Sequence, residues 1–413
     1  MNRYAIPTIA AAIGLVAVLI ISSPGPVSTP ALAQAEAEPT IQALRPGQLE
    51  DPGQPRFGTG GWRTDFSISS VHFDDIVSGG PPKDGIPAID APAFESIADA
   101  RTWIDGHSPV IALEVNGEAK AYPMAVMTWH EIANDTIGGV PVTVTFCPLC
   151  NTALAFERTI DGIVHDFGTS GNLLNSNLIM YDRQTESWWQ QATGEAIVGE
   201  QMGTQLVFLP AQIISLEEFE ATYPDGTVLS RETGFERSYG RNPYPGYDRA
   251  DESPFLYFGT VDGRIAPKER VATVGEGGDA IAFAYPELST VGVATATVDG
   301  EPIVVFWAPG TRSALESSTI DEGQDVGTTG VYRPIVDSQT LTFERLGPAG
   351  TPITDEETGS TWSITGLATD GPLAGTHLER VVSGDHLWFS WAAFNPDTRI
   401  WEPPADVGAD GQG

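Results

Sequence analysis

Basic residues are scarce in this chain. Of 413 residues, 21 are Lys or Arg and 55 are Asp or Glu, so the formal net charge is −34. Lysine occurs only at Lys83, Lys120 and Lys268. A surface of this charge repels phosphate backbones and anionic lipid, so we expect no nucleic-acid partner. Such a surface also suits high salt or attracts cations, although solubility alone explains it equally well.

Cysteine is scarcer still, with Cys147 and Cys150 as the only two. No cysteine comes directly after the apolar N-terminal run, which excludes a lipoprotein anchor. By contrast, there are 45 Gly and 32 Pro, and 41% of the residues are hydrophobic. This composition predicts a globular, turn-rich α+β fold dominated by strands. The length allows two domains, each with its own core.

The N-terminus predicts export. Arg3 precedes an apolar run over residues 5–21, and small-residue cleavage sites follow at 31–33 and 33–35. The run is close to the shortest length that spans a membrane. Residues 1–35 are therefore expected to be either a cleaved signal peptide or an N-terminal membrane anchor. In both cases we expect an extracytoplasmic protein, secreted or held on the outer face of the membrane.

The two halves of the chain resemble each other, which predicts a tandem internal duplication and two similar lobes. Residues recur in the same order, first at an offset of 161 and then at slightly larger offsets. The matching pairs include Val110 with Val271, Gly117 with Gly278, Gly139 with Gly300, Pro148 with Pro309, Ala153-Leu154 with Ala314-Leu315, Asp182 with Asp355, Thr185 with Thr358 and Trp189 with Trp362.

The repeat and the composition together predict a domain plan. In chain order it comprises a signal peptide or anchor (1–35), a flexible acidic Pro/Gly-rich tether (36–75), a first repeat lobe with the cysteines (76–230), an aromatic inter-lobe segment (231–270), a second lobe without cysteines (271–402) and a disordered tail (403–413).

Local patterns predict the elements within each copy. Residues 110–115 and 140–146 are typical of buried strands, and Asp161-Gly162 and Asp299-Gly300 are typical of hairpin turns. Two helices are predicted. Ser215 and Glu218 have the spacing of a capping box, and Pro123 is expected to begin a second helix that reaches about Asn134.

The Cys-Pro-Leu-Cys segment is the strongest functional candidate. Copy two has Ala308 and Thr311 where copy one has Cys147 and Cys150, so the thiols are not needed to fold the unit. A disulfide across so short a ring removes little unfolded-state entropy, so it would stabilise the fold only slightly. We therefore expect the pair to have a function.

Two kinds of chemistry fit this pair. The first is a metal site in which Cys147, Cys150 and His130 bind a copper or zinc ion, because thiolate and imidazole are ligands of both. Met124 and Met127 would then share a helix face with His130. The second is thiol–disulfide redox, in which one cysteine attacks, the other resolves, and His130 lowers a thiol pKa. The segment after Cys150 is expected to be a strand, whereas a thioredoxin-like fold requires a helix there.

The sequence also allows a second class of function, a two-lobed hydrolase with a pair of carboxylates. Asp166 and Asp325 each begin an Asp-x-Gly-Thr-[Ser/Thr]-Gly segment, which resembles the paired motifs of two-lobed aspartic hydrolases. Because both copies have it, a turn capped by the aspartate explains it as well. A non-catalytic envelope module that binds a small molecule or a protein is a third interpretation. His386, near Trp388, is an additional, weaker candidate for a residue of the cysteine site. The sequence specifies no reaction.

Seven long motifs give the chain a family resemblance. They are Gly-Glu-Ala-Lys-Ala-Tyr-Pro (117–123), Trp-His-Glu-Ile-Ala-Asn-Asp (129–135), Phe-Cys-Pro-Leu-Cys-Asn-Thr (146–152), Met-Tyr-Asp-Arg-Gln-Thr-Glu-Ser-Trp-Trp (180–189), Tyr-Gly-Arg-Asn-Pro-Tyr (239–244), Pro-Lys-Glu-Arg-Val (267–271) and His-Leu-Trp-Phe-Ser-Trp-Ala-Ala-Phe (386–394). With these the chain resembles the family called domain of unknown function 3179. That resemblance implies neither an activity nor site residues.

Overall fold

Strands dominate the computed structural model of this chain, which describes residues 44–345, 347 and 349–404. The strands that precede the inter-lobe segment are β1 (Ile76–Ser78), β2 (Phe94–Ser96), β3 (Pro109–Val115), β4 (Glu118–Pro123), β5 (Ile132–Ile137), β6 (Val140–Cys147), β7 (Thr152–Glu157), β8 (Thr159–Ile160), β9 (Ile163–Val164), β10 (Phe167–Leu174), β11 (Asn177–Asp182), β12 (Trp188–Gln190), β13 (Ala196–Val198), β14 (Val207–Leu209), β15 (Gln212–Ser215) and β16 (Thr227–Leu229).

The second part of the chain is also rich in strands. Its strands are β17 (Arg270–Val274), β18 (Ile281–Ala284), β19 (Val293–Val298), β20 (Glu301–Ala308), β21 (Thr328–Tyr332), β22 (Ile335–Val336), β23 (Gln339–Thr340), β24 (Phe343–Arg345), β25 (Ile353–Asp355), β26 (Thr361–Trp362), β27 (Ala368–Asp370), β28 (Ser383–Leu387) and β29 (Arg399–Ile400). The α-helices are α1 (Ile97–Ala100), α2 (Met124–Met127), α3 (Leu216–Thr222), α4 (Tyr285–Val291) and α5 (Trp388–Phe394), and 3-10 turns lie at Phe73–Asp75, Pro148–Cys150, Gly277–Asp279 and Ile320–Glu322. The predicted β-rich α+β class is confirmed.

Tight turns set the register of several strand pairs. Asp161 and Gly162 have φ values of 49° and 77° between β8 and β9, and Asp299 and Gly300 have 51° and 79° between β19 and β20. A two-residue turn with both φ values positive matches the twist of the flanking strands. Both hairpin predictions are confirmed.

Two sheets share one connection pattern, β15-β3-β4-β16-β2 in the first half and β28-β17-β18-β29 in the second. In each, a hairpin is flanked by an antiparallel strand, β15 or β28. That strand leads into a helix, α3 or α5, and the next strand, β16 or β29, returns parallel to the second hairpin strand.

The two tryptophan-containing sheets also agree in register. Trp189 pairs with Ala196 and Trp362 pairs with Ala368, and each pair sits next to a register shift. The halves differ after β6 and β20. Ala153-Leu154 lie on β7, whereas Ala314-Leu315 lie outside any strand and pack on the core of the first half.

One helix prediction is confirmed and the other is wrong in extent. Ser215 and Glu218 form both hydrogen bonds of a capping box at the start of α3. The helix expected from Pro123 to about Asn134 ends at Met127 instead. From Ile132 onward the chain pairs with β6 as strand β5, and inter-strand pairing of this buried segment overrides its helical pattern. Met124 and Met127 are buried in the core, and His130 lies beyond the helix.

Residues 44–75, most of the predicted flexible tether, are packed. Phe57, Trp62 and Phe66 surround Trp188, with ring centroids 4.9, 5.1 and 5.3 Å from it. Aromatic burial of this kind outweighs the entropy of a Pro/Gly-rich segment. Residues 36–43, the predicted export segment 1–35 and residues 405–413 of the predicted tail lie outside the described residues.

The inter-lobe segment 231–270 contains no helix or strand before Arg270 in this fully described stretch. As predicted, its aromatic residues pack on both halves. Tyr244 and Tyr247 contact two hydrophobic clusters, one of which includes Leu387 and Phe389 from the second half. Because the halves share these cores, the described chain from Leu44 forms one compact unit. Among the described residues, no helix is long and apolar enough to cross a membrane.

Candidate functional site

The Cys-Pro-Leu-Cys segment forms the turn of the β6–β7 hairpin. Cys147 is the last residue of β6 and pairs with Thr152, the first residue of β7. Pro148–Cys150 make a 3-10 turn, and Asn151, with a φ of 50°, completes the reversal. The hairpin geometry therefore brings both cysteines to one end of the sheet, and the predicted strand after Cys150 is confirmed.

Both thiols are free and buried, with 2% of Cys147 and 0% of Cys150 exposed. They donate to a single acceptor, the carbonyl oxygen of Ser176, over 3.8 and 3.4 Å. Ser176 lies in the tight turn between β10 and β11, with a φ of 65°. Burial raises the pKa of Cys147 well above its ordinary value, and the neighbouring Cys150 and Glu131 raise it further. His130 is not among the groups that shift the pKa of Cys147, so its predicted lowering of a thiol pKa stays a prediction.

Glu131 is the residue beside the thiols that the sequence prediction missed. It is buried, its φ is 59°, and its backbone carbonyl accepts from Phe146 N over 2.7 Å. Burial raises the pKa of its carboxyl to about 8. A signal for it existed, because the residue at the offset of 161 from Glu131 is Gly292, so the glutamate occurs in one half only.

The cysteines lie beneath part of the inter-lobe segment, residues 242–258, which we call the cover segment. Tyr244, Tyr247 and Leu256 pack on the hydrophobic cluster that contains both cysteines. Burial raises the pKa of Tyr244 and of Tyr247, and charge on the cysteines adds to the shift in each case. The Ser176 hydroxyl donates to Phe255 O over 2.6 Å, which ties the cover segment to the turn below the thiols.

His130 lies near the thiols in sequence but has other partners. Its Nδ1 is 2.7 Å from Pro87 O and its Nε2 is 2.7 Å from the Tyr239 hydroxyl, so both ring nitrogens are engaged. Burial lowers the pKa of this imidazole. Among the described residues, no group of three or more His, Cys, Asp or Glu side chains is placed to hold a metal ion. The fold thus does not assemble Cys147, Cys150 and His130 as a ligand set.

His386, the weaker candidate, approaches the thiol turn from the second half of the chain. Its Nδ1 is 2.8 Å from the Thr152 hydroxyl, which itself donates to Cys150 O over 3.3 Å. Burial lowers the pKa of His386 to about 3. The imidazole is therefore neutral at physiological pH, and it lies within two hydrogen bonds of the cysteine backbone.

The two candidate aspartates have separate partners. Asp166 forms an ion pair with Arg158 at 2.7 Å and its side chain is 42% exposed. Asp325 accepts from the backbone N–H groups of Gly310 and Gly327 at 2.8 Å. Turn capping accounts for Asp325. The contacts of neither carboxylate include the other, so nothing in them resembles a shared-proton dyad.

Comparison with known proteins identifies the family. No curated protein and no solved structure matches the chain. A family model described as "protein of unknown function (DUF3179)" matches residues 83–398, most of the chain. This range contains the cysteine hairpin, Glu131, the cover segment and His386. The chain belongs to the DUF3179 family.

Proposed function

We propose that this protein is an extracytoplasmic thiol–disulfide exchange protein whose reactive pair is Cys147 and Cys150, with Glu131 as the buried proton acceptor. The observation that carries the proposal is the convergence of both thiols on one carbonyl oxygen, Ser176 O. The two thiols also hydrogen bond to each other, so one sulfur is placed to attack a mixed disulfide held by the other.

Glu131 suits the proton-transfer role. A carboxyl with a pKa of about 8 is mostly protonated at neutral pH, and its ionised fraction accepts a proton from a thiol more readily than an exposed carboxylate does. Its left-handed backbone conformation supports a functional role, since a non-glycine residue there costs about 1 kcal/mol. Strain of this kind is concentrated at functional sites.

The exchange reaction requires a disulfide-bearing partner, written R–S–S–R. One cysteine loses its proton to Glu131, and the thiolate attacks one partner sulfur, forming a mixed disulfide and releasing R–S⁻. The second cysteine then attacks the first cysteine sulfur, which forms the Cys147–Cys150 disulfide and releases the other R–S⁻. The two protons leave with the two released thiols. The partner disulfide is reduced and the cysteine pair is oxidised.

Access to the pair requires the cover segment to move, because the thiols are buried beneath it. The cover segment, which is described throughout, contains no helix or strand, and segments of this kind open at a lower free-energy cost than core strands do. The raised pKa of Cys147 describes the closed state, in which the pair is unreactive. Opening would hydrate the sulfurs and restore thiolate formation.

We further propose that the two halves arose by tandem duplication and that the second half is a scaffold without thiols. The shared sheet connections and the matching register shifts beside Trp189 and Trp362 support this. A third support is a shared side-chain arrangement. Asp182 accepts from Thr185 and Trp189 as Asp355 accepts from Thr358 and Trp362.

A redox titration tests the exchange proposal. The full chain is equilibrated in buffers of increasing oxidised-to-reduced dithiothreitol ratio, and free thiols are counted by maleimide labelling and mass. We expect a two-electron transition to an intramolecular disulfide, absent in Cys147→Ser and Cys150→Ser. Metal analysis of the same preparations tests the copper or zinc prediction, because only the wild type would retain bound metal. The exchange proposal would be contradicted if the wild-type pair stays reduced in the most oxidising buffer while it still reacts with maleimide.

A further inference from the structure

A cleft of about 830 Å³ lies between the two halves of the described chain. One wall is formed by residues of the first half, among them Thr193, Glu195 and Phe208, and the other by residues of the second, among them His386 and Trp391. The volume is that of a typical small-molecule site. The cysteine sulfurs do not line the cleft, so ligand binding there is independent of the proposed redox function.

His386 is the buried polar side chain directed into this cleft. Only 2% of the residue is exposed, and Nδ1 is bonded to Thr152 while Nε2 has no partner among the described residues. Gly384 keeps the space around this nitrogen clear, because a Cβ at that position would clash with Nε2. This nitrogen is not among the sealed side-chain atoms without a partner, and it belongs to a residue that lines the cleft, where a ligand or water can satisfy it.

The hydrogen bonds of Thr152 bear on the role of that nitrogen. The Thr152 hydroxyl lies 3.3 Å from Cys150 O and 2.8 Å from Nδ1, and in the tautomer in which it donates to Cys150 O, Nδ1 carries the ring proton. Nε2 then presents a lone pair to the cleft. Since burial lowers the pKa of His386 to about 3, this nitrogen is an acceptor throughout the physiological range.

The charges along the cleft favour a cation. Four carboxylates line it, from Glu195, Glu276, Asp299 and Glu379, and none forms an ion pair with a described residue. The two arginines of the lining donate to neutral groups and offset two of these four charges, so the lining stays net negative. Arg333 donates to Pro302 O, and Arg380 donates to Gln212 Oε1 over 2.7 Å.

Aromatic side chains complete the site. Phe208, Trp391 and Phe394 also line the cleft, and aromatic faces attract cationic groups and pack against aliphatic chains. We propose that the cleft binds a small organic cation that carries a primary amine or guanidinium group, with an N–H donated to His386 Nε2 and the positive charge placed among the four carboxylates.

Calorimetric titration of the full chain tests this, with agmatine as the cationic probe and glutarate as the matched anion. We expect agmatine to bind and glutarate not to bind. Glu195→Gln combined with Glu379→Gln should raise the Kd for agmatine about tenfold, because each exposed ion pair contributes modestly. Asp370→Asn removes an exposed carboxylate outside the cleft and should leave the Kd unchanged. Melting temperatures of all variants check that they are folded.

A second measurement uses the unsubstituted protein. In protein labelled with ¹⁵N-histidine, the Nε2 resonance of His386 should shift when agmatine is added. Three results would overturn the proposal: no heat with agmatine at millimolar concentration, equal effects of the cleft and Asp370 substitutions, or an unchanged His386 resonance at saturating agmatine.

Discussion

Glu131 and Gly292 occupy the same backbone position in two turns of the same design. Their φ values are 59° and 75°. Glu131 N donates to Met127 O and Gly292 N to Leu288 O, while Phe146 N and Trp307 N donate to the respective carbonyls. Glycine adopts this conformation freely, so the glutamate is present despite a conformational cost. The half that contains the cysteines is the half that has the glutamate.

Glu131→Gln should stabilise the protein at alkaline pH. The folded-state pKa of about 8 lies above the ordinary 4.5, so the folded protein holds a proton that the unfolded chain releases. The stability associated with this proton is fully present below pH 4.5 and is lost as pH rises to 8. We expect the variant to gain about 2–4 kcal/mol in unfolding free energy at pH 8 and little at pH 4.

Urea unfolding at both pH values measures this difference. Glu344→Gln, a change at a partly exposed carboxylate on β24, serves as the control and should show no such pH dependence. An equal effect of Glu131→Gln at pH 4 and pH 8 would contradict the assignment of a buried, protonated carboxyl.

Ser176→Ala should make the cysteines react faster. The substitution removes the hydroxyl that donates to Phe255 O in the cover segment and keeps the carbonyl that accepts from both thiols. Loss of one buried hydrogen bond should accelerate iodoacetamide alkylation about three- to tenfold, because opening then costs less. Ser170→Ala removes a comparable buried hydroxyl, bonded to Ile179 O, away from the cover segment. Similar rates in both variants would mean that the cover does not limit access.

Asp182→Ala and Asp355→Ala should have similar effects, because each aspartate accepts from a threonine and a tryptophan in the same arrangement. Each change leaves buried donors unsatisfied and should cost about 3 kcal/mol. Asp182 also bonds His165 Nδ1 at 3.1 Å, which adds a further loss in the first half only. Urea unfolding of the full chain measures both; a cost below about 1 kcal/mol for only one of them would contradict their equivalence.

His386→Asn should reduce the fall in unfolding free energy between pH 7 and pH 5. The folded-state pKa of about 3 lies below the ordinary 6.5, so the unfolded chain binds a proton that the folded protein excludes. This contribution is fully present above pH 6.5 and is lost as pH falls towards 3, by roughly 2 kcal/mol at pH 5. Unfolding free energies at pH 5 and pH 7 for both proteins measure the slope. Equal slopes would show that His386 does not titrate as a buried imidazole.

The confirmed predictions concern features that depend on interactions between residues close together in the chain, or on composition. The Asp-Gly turns and the Ser215 capping box depend on neighbours a few residues away, and the β-rich class follows from composition. The helix expected to include His130 was wrong, because pairing of β5 with β6 depends on residues further along the chain. The sequence predicts His130 as a thiol partner because it lies close to the cysteines along the chain. Its ring instead bonds Pro87 O and Tyr239, which are distant in the chain.

The sequence alone determined the family, the strand-rich class and the cysteine pair as a feature of one half, since these depend on residue identity and order. Only the tertiary structure decided the surroundings of the thiols: the single Ser176 carbonyl, the buried Glu131, the cover segment and the approach of His386 from the other half. The physical reason is that burial and desolvation, which set the pKa values here, arise from contacts between segments far apart in the chain. No short stretch of sequence encodes such contacts.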